Sequence, residues 1–170
     1  MKLILIIIFF SLANIFASEI NAAPAVPKTL NIQIQRLVNL LSDGYAVGYP
    51  DATIFQTVKS RKHDDITLAV FTVEGFGGGN NFSQYFAAFS SEPTKNGKQH
   101  FMLIDVIPIG RDGWRLVGNF NSITTDNPLI DETTITVDAL ENTGDDSMNF
   151  PSKKITINLI LKSGRLNEQK

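Results

Sequence analysis

The sequence predicts an α+β domain: one N-terminal helix packed on a five- or six-stranded antiparallel meander sheet that is free to curl. Three observations carry this. The segment after residue 27 repeats its apolar residues at helical spacing. From residue 66 onward the period changes to two. The links between those later segments are short and polar, which favours hairpins.

The helix is predicted within "KTLNIQIQRLVNLLSDGY". Leu30, Ile34, Leu37, Val38 and Leu41 fall on one face. Thr29 is the expected N-cap. "SDG" at 42–44 is the expected stop, with Gly44 taking a left-handed conformation. Pro50 forbids a helix through the next stretch, and "DATIFQTVK" reads as a short strand.

"ITLAVFTVE" (66–74) is apolar on both alternating faces, as in a central strand covered on both sides. "NFSQYFAAFSS" (81–91) alternates Phe82, Phe86 and Ala88 against Tyr85, Ala87 and Phe89. "QHFMLIDVIPI" (99–109) and "WRLVGNFNSI" (114–123) flank "GRDG", a compact hairpin turn. "TTITVDAL" (133–140) points Ile135, Val137 and Ala139 inward, and "KKITINLILK" (153–162) does so with Ile155, Ile157, Leu159 and Leu161. Residues 163–170 read as a polar tail that frays. The second face of this sheet also carries aromatics, so it can curl toward a half-barrel.

The chain has 170 residues, 43% of them hydrophobic and 19% charged. That composition is globular rather than disordered. Residues 28–162 form one domain, large enough for a core of its own. Residues 1–22 read as a signal peptide: Lys2, then an apolar run from Leu3 to Phe16, then Ala17, Ser18, Ala22 and Ala23. The run is short for a membrane span, and no stable span is expected after cleavage between Ala17 and Ala23. Residues 23–27 are a small-residue and proline linker. The protein is therefore expected to be exported, to the periplasm or beyond.

Export places the chain where disulfides are common, yet it has no cysteine. Thiol nucleophiles, zinc–thiolate sites and iron–sulfur clusters are excluded together. The net charge is −2 and no basic stripe is present, so nucleic acid is not an expected partner. "KSRKH" (59–63) is the densest basic patch, and "DD" follows it at once. No cofactor is expected.

The unusual stretch is "GFGGGNNF" (75–82). It lacks the Lys of a phosphate loop, and a strand follows it rather than a helix. A tight connection rich in positive φ angles fits it better. Three consecutive glycines exceed what a turn needs, which leaves a binding rim as the alternative. Its residues would be Glu74, Phe76, Gly77, Gly78, Gly79, Asn80 and Asn81. Asn81-Phe82-Ser83 is also a formal glycosylation sequon. Trp114 is either core or a half-exposed platform beside Arg111 and Arg115.

Asp105 interrupts an apolar strand and is costly there unless paired. Arg115, one hairpin away, is the candidate partner, subject to register. The other readings are an exposed strand face or a functional buried acid. His63 and His100 are the only histidines, and nothing in the sequence joins them in a metal site or triad. The acidic loops "DNPLIDE" (126–132) and "ENTGDD" (141–146) lack calcium-loop spacing.

"FTVEGFGGGNNFSQYFAAF" resembles a segment in a group of uncharacterised bacterial secreted proteins and lipoproteins. In that group an apolar strand runs into a Gly/Asn turn and then an aromatic strand. "DDSMNFPS" (145–152) is similar to the group's later D-x-M-C-C-P-S segment. Asp146, Met148, Pro151 and Ser152 match, while Asn149 and Phe150 stand in place of the paired cysteines. The resemblance implies a bacterial envelope or secreted protein and no particular activity.

Three functions are compatible with these residues. The favoured one is a non-catalytic extracytoplasmic domain that binds a protein or a small envelope ligand. The second is a carboxylate-dependent hydrolase using Asp105 or Glu74, which would need a second acid or base in a shared cleft. The third is a structural envelope component.

Overall fold

Strand pairing organises nearly all of the chain. The computed structural model describes residues 25–59, 65–94, 96–127 and 132–169. The expected signal peptide, its cleavage region, His63 and most of "KSRKH" and "DNPLIDE" lie outside the described residues.

The helix α1, Lys28–Leu41, buries Leu30, Ile34, Leu37 and Val38. These are four of the five residues placed on one face by their spacing. The caps differ from expectation. Pro27 holds the N-cap, and no side chain caps the first turn. Its C=O accepts the Asn31 N–H at 2.9 Å. At the other end Ser42 is extended, and Gly44 is not among the residues with positive φ. Asp43 turns the chain instead. Its Oδ1 accepts the N–H groups of Tyr45 and Ala46 at 2.9 and 2.8 Å. A short polar side chain can thus replace a glycine at a chain reversal.

After α1 come β1 (Val47–Gly48), β2 (Ile54–Val58), β3 (Asp65–Glu74), β4 (Phe82–Pro93) and β5 (Gln99–Arg111). Then come β6 (Arg115–Asn127), β7 (Glu132–Glu141), β8 (Lys153–Lys162) and β9 (Arg165–Gln169). All pairs are antiparallel. The sheet has nine strands, in the order β1-β3-β4-β5-β6-β7-β8-β9 with β2 also on β3. That exceeds the expected five or six. β2 forms within "DATIFQTVK", as its reading as a short strand required, while β1 was not anticipated and β9 forms where a frayed tail was expected. Its residues Arg165–Gln169 pair with β8 at Lys162 through Asn158.

The sheet is not closed, but it folds over at one place. β5 and β6 pair only at Arg111↔Arg115 and then part. The halves β1–β5 and β6–β9 therefore enclose one core between them. Leu68, Val70, Phe86 and Ile109 come from the first half, and Val117, Ile135, Val137, Ile157, Leu159 and Leu166 from the second. A second core lies on the other face of β3–β5, where α1 packs on Ala69, Phe71, Val73, Ala87, Phe89 and Phe101. The central strands β3 and β4 are covered on both faces, as their doubly apolar alternation requires.

Where β6 leaves β5 its backbone needs new partners. Gln84 of β4 supplies them. Its Oε1 accepts the Val117 N–H at 2.6 Å, and its Nε2 donates to the Val117 C=O at 3.3 Å. Gly110 lets the strands cross closely, since a Cβ there would lie 2.7 Å from Gln84 Oε1 and 2.8 Å from the Arg115 C=O oxygen.

The Asp105–Arg115 pair is corrected by this geometry. The β4–β5 register shifts between Ala88 and Phe89, whose partners are Asp105 and Leu103, so Ile104 is bulged out. The bulge reverses the faces of β5. Phe101 packs toward α1, while Ile107 and Ile109 pack toward the other core. Asp105 then meets β9: Oδ2 accepts the Leu166 N–H at 2.9 Å, and Oδ1 lies 3.8 Å from Arg165. Arg115 also meets β9. Its guanidinium grips Glu168 with two hydrogen bonds at 2.8 and 2.5 Å, and its Nε donates to the Ile109 C=O. The two residues are separate clamps on the same strand.

Candidate functional site

Four loops meet at one end of the sheet: 42–46 after α1, 75–81 between β3 and β4, 112–114 between β5 and β6, and 142–152 between β7 and β8. The glycine loop is the centre. Gly75, Gly77 and Gly78 have φ of 86°, 64° and 74°, a region costly for other residues. That need explains why the glycines cluster. The Gly75 N–H donates to the Asn81 C=O at 2.9 Å and closes the loop. The Asn81 amide donates to the Phe76 C=O at 3.0 Å across it. Asn81 is thus engaged by its own loop and half-buried.

Each neighbouring loop is tied to this centre. Asp43 Oδ2 accepts the Gly77 N–H at 2.7 Å, across 34 residues of sequence. The Gly77 N–H, followed by those of Tyr45 and Ala46, holds the Asp43 carboxyl below its ordinary value. The Asn149 amide donates to the Asn80 C=O at 3.1 Å. The Gly113 N–H donates to the Met148 C=O at 2.7 Å, and the Asp112 N–H to the Phe82 C=O at 3.3 Å.

The 142–152 loop is knotted by Asp146. Its Oδ2 accepts the Thr143 N–H at 2.8 Å, the Ser152 N–H at 3.0 Å and the Ser152 hydroxyl at 3.1 Å. The Thr143 N–H and then the Ser152 hydroxyl lower its carboxyl below the ordinary value. Asn149 is the staple from this loop to the glycine loop.

This framework presents apolar side chains to solvent. Tyr45 is 73% exposed, Met148 63% and Phe150 76%. Tyr45 stands over Gly78, where an added Cβ would come within 3.8 Å of its ring. Met148 and Phe150 flank Asn149. Phe76 is half-buried and packs toward α1, so it is an anchor rather than a rim residue. Glu74 is exposed at the end of β3.

Trp114 is neither core nor a free platform. It is half-buried, with the Arg115 guanidinium 3.8 Å from its ring centroid and that of Arg111 at 5.9 Å. The contact orders Arg115 for its grip on Glu168.

The structure therefore brings Phe76 through Asn81 together with the Trp114 turn, through Asp112 and Met148. It keeps Asp105 and Arg115 apart from this end, as strand clamps. The sequence reading missed Asp43, Tyr45 and Asn149. The available signal was an Asp followed directly by turn residues, which is a side-chain-capped turn.

Among the described residues no group of three or more His, Cys, Asp or Glu could hold a metal ion. No described helix is long and apolar enough to cross a membrane. No protein-family model matches the chain, nor does any curated protein or solved structure.

Proposed function

We propose that this protein is an exported, non-catalytic binding domain that engages a protein partner through the loop cluster. The carrying observation is the set of exposed Tyr45, Met148 and Phe150 side chains on loops locked by cross-loop hydrogen bonds. Large exposed aromatics are the residues that dominate protein interfaces. Ordered loops lose little freedom on binding, so more of the contact energy reaches affinity. Asp43 and Asn149 serve as positioning residues.

Export supports this reading through the "MKLILIIIFFSLANIFASEINAAPA" leader pattern. The test is photo-crosslinking in an exporting bacterial host with a reactive residue at Phe150. A discrete adduct is expected, and it should vanish when Tyr45 and Met148 become serine while the melting temperature stays within about 1 °C of the parent, since exposed substitutions are usually near-neutral. An adduct that survives those substitutions refutes the loop cluster as the interface. An N-terminus at Met1 in the recovered protein refutes export with cleavage.

A further inference from the structure

Asp43-Gly44, Asn96-Gly97 and Asp112-Gly113 each put a glycine directly after Asn or Asp. In such a pair the glycine nitrogen can close a succinimide ring on the side-chain carbonyl carbon. Glycine favours this because it carries no side chain to crowd the ring. The structure treats the three pairs differently.

The two Asp-Gly pairs are held by other loops. Asp43 Oδ1 accepts the Tyr45 and Ala46 N–H groups, and its Oδ2 accepts the Gly77 N–H at 2.7 Å. These bonds fix the carboxyl and keep it ionised, and a carboxylate is a poor target for a nitrogen nucleophile. At Asp112 the nitrogen itself is tied, since the Gly113 N–H donates to the Met148 C=O at 2.7 Å.

Asn96 is exposed in the β4–β5 turn, and among the described residues nothing hydrogen-bonds its carboxamide. The amides of Asn81, Asn142 and Asn149 each donate to a backbone carbonyl instead. Gly97 has φ of 72°, and a Cβ added there meets nothing within 4 Å, so the space around it is open. Its N–H donates to the Thr94 C=O at 2.9 Å, within the same turn. Breaking that bond moves no other element. The Thr94 N–H and Oγ1 donate to the Lys98 C=O at 2.7 and 2.6 Å and close the hairpin behind it.

We propose that Asn96 is a site of spontaneous deamidation. When the turn opens, the Gly97 nitrogen gives up its proton and attacks Asn96 Cγ. The new C–N bond forms, the Cγ–Nδ2 bond breaks, and Nδ2 leaves as ammonia with a proton. Water then opens the succinimide. Cleavage at Cγ gives aspartate. Cleavage at the backbone carbonyl carbon gives isoaspartate, which adds one carbon to the main chain. Water is the only co-reactant, and nothing is oxidised or reduced. Either product adds a negative charge to the turn. The turn lies at the far end of β4 from the glycine loop, roughly 35 Å away at about 3.3 Å per residue. The site is separate from the loop cluster, so each can fail without the other.

The test is a timed incubation of the full mature chain at neutral and mildly alkaline pH, with peptide mapping by mass spectrometry and isoaspartate labelling. The Asn96 peptide is expected to exchange one ammonia for one water sooner than any other asparagine peptide, and faster at the higher pH. Isoelectric focusing should show a new band shifted by one negative charge. Asn96→Gln keeps the amide but needs a larger ring, so that band should be lost. Isoaspartate at Asp43 and Asp112 should appear only when the chain is unfolded in guanidinium. Four results would each overturn the proposal: an Asn96 that stays intact in the folded chain, another asparagine that reacts first, an acidic band that survives Asn96→Gln, or an Asp43 that isomerises as fast as Asn96 reacts.

Discussion

Replacing Gln84 with Leu tests the reason the sheet folds over. Gln84 is 5% exposed and Val117 is 4% exposed. Val117 sits just beyond the single β5–β6 pairing, so its backbone has lost its β5 ladder. The Gln84 amide replaces that ladder, accepting at 2.6 Å and donating at 3.3 Å. Leucine has similar bulk and offers neither group. The buried Val117 N–H is then orphaned, at about 1–3 kcal/mol, with a smaller loss at the longer C=O contact. The expected total is about 2–3 kcal/mol. For a domain of this size that lowers the melting temperature by roughly 5–10 °C. Urea unfolding should show a lower midpoint with an unchanged slope. Gln84→Glu sharpens the test. Glutamate keeps an acceptor for Val117, but burial raises its folded-state pKa above the unfolded value. Its stability is then fully present below the unfolded pKa and lost as pH rises through the folded one. A Gln84→Leu cost under about 0.5 kcal/mol would show that water or a shifted strand satisfies Val117, and the bridging argument would be wrong.

Gly110→Ala places a methyl 2.7 Å from Gln84 Oε1 and 2.8 Å from the Arg115 C=O oxygen, so it should cost about 1–3 kcal/mol in the same urea assay. Asp105→Ala removes the acceptor for the Leu166 N–H, so hydrogen exchange at Leu166 should speed up well before global unfolding. Arg115→Met should also release Glu168 and loosen β9, and exchange across Arg165–Gln169 reads it out. The Asp43 carboxyl titrates below its ordinary value, so its hold on Gly77 is present above the unfolded pKa and lost as pH falls through the folded one. Gly77 exchange, corrected for intrinsic rate, should therefore lose protection in acid in the parent and not in Asp43→Asn, which keeps an uncharged acceptor.

The helix and the long strands were legible because each has one dominant period. Leu30, Ile34, Leu37 and Val38 are buried as spaced, and Ile135, Val137 and Ala139 face the core as alternated. Asp105 was not legible. Alternation assigns it to the face of Phe101, and the bulge at Ile104 reverses that assignment with no mark in the residue types. β9 was legible only in part. Ser163 and Gly164, both at positive φ, make the two-residue hairpin turn that pairs it with β8, but "RLNEQ" is polar because only Leu166 reaches the core, and its side-chain ties run to Asp105 and Arg115, more than 50 residues away. Local pattern carries no information about such partners. The glycine loop was legible as a place needing positive φ, but not as the hub of four loops. Its cross-links use backbone groups and single Asp or Asn side chains, which the sequence spreads from Asp43 to Asn149.

These long-range ties share one physical cause. A folded-over sheet that does not close leaves strand edges without ladders, at β5 against β9 and at β2 against β6. Unpaired edges must be satisfied or covered. At the first edge Asp105 and Arg115 do it with side chains, and the result is sealed, with Leu166 only 4% exposed beneath. At the second edge no comparable clamp joins the strands among the described residues. A cleft with apolar walls remains. One sheet thus has two seams with opposite chemistry. The β5–β9 seam is closed by charge and should resist a ligand. The β2–β6 seam lacks those charges and is lined by the apolar side chains of Ile54, Phe55 and Phe120.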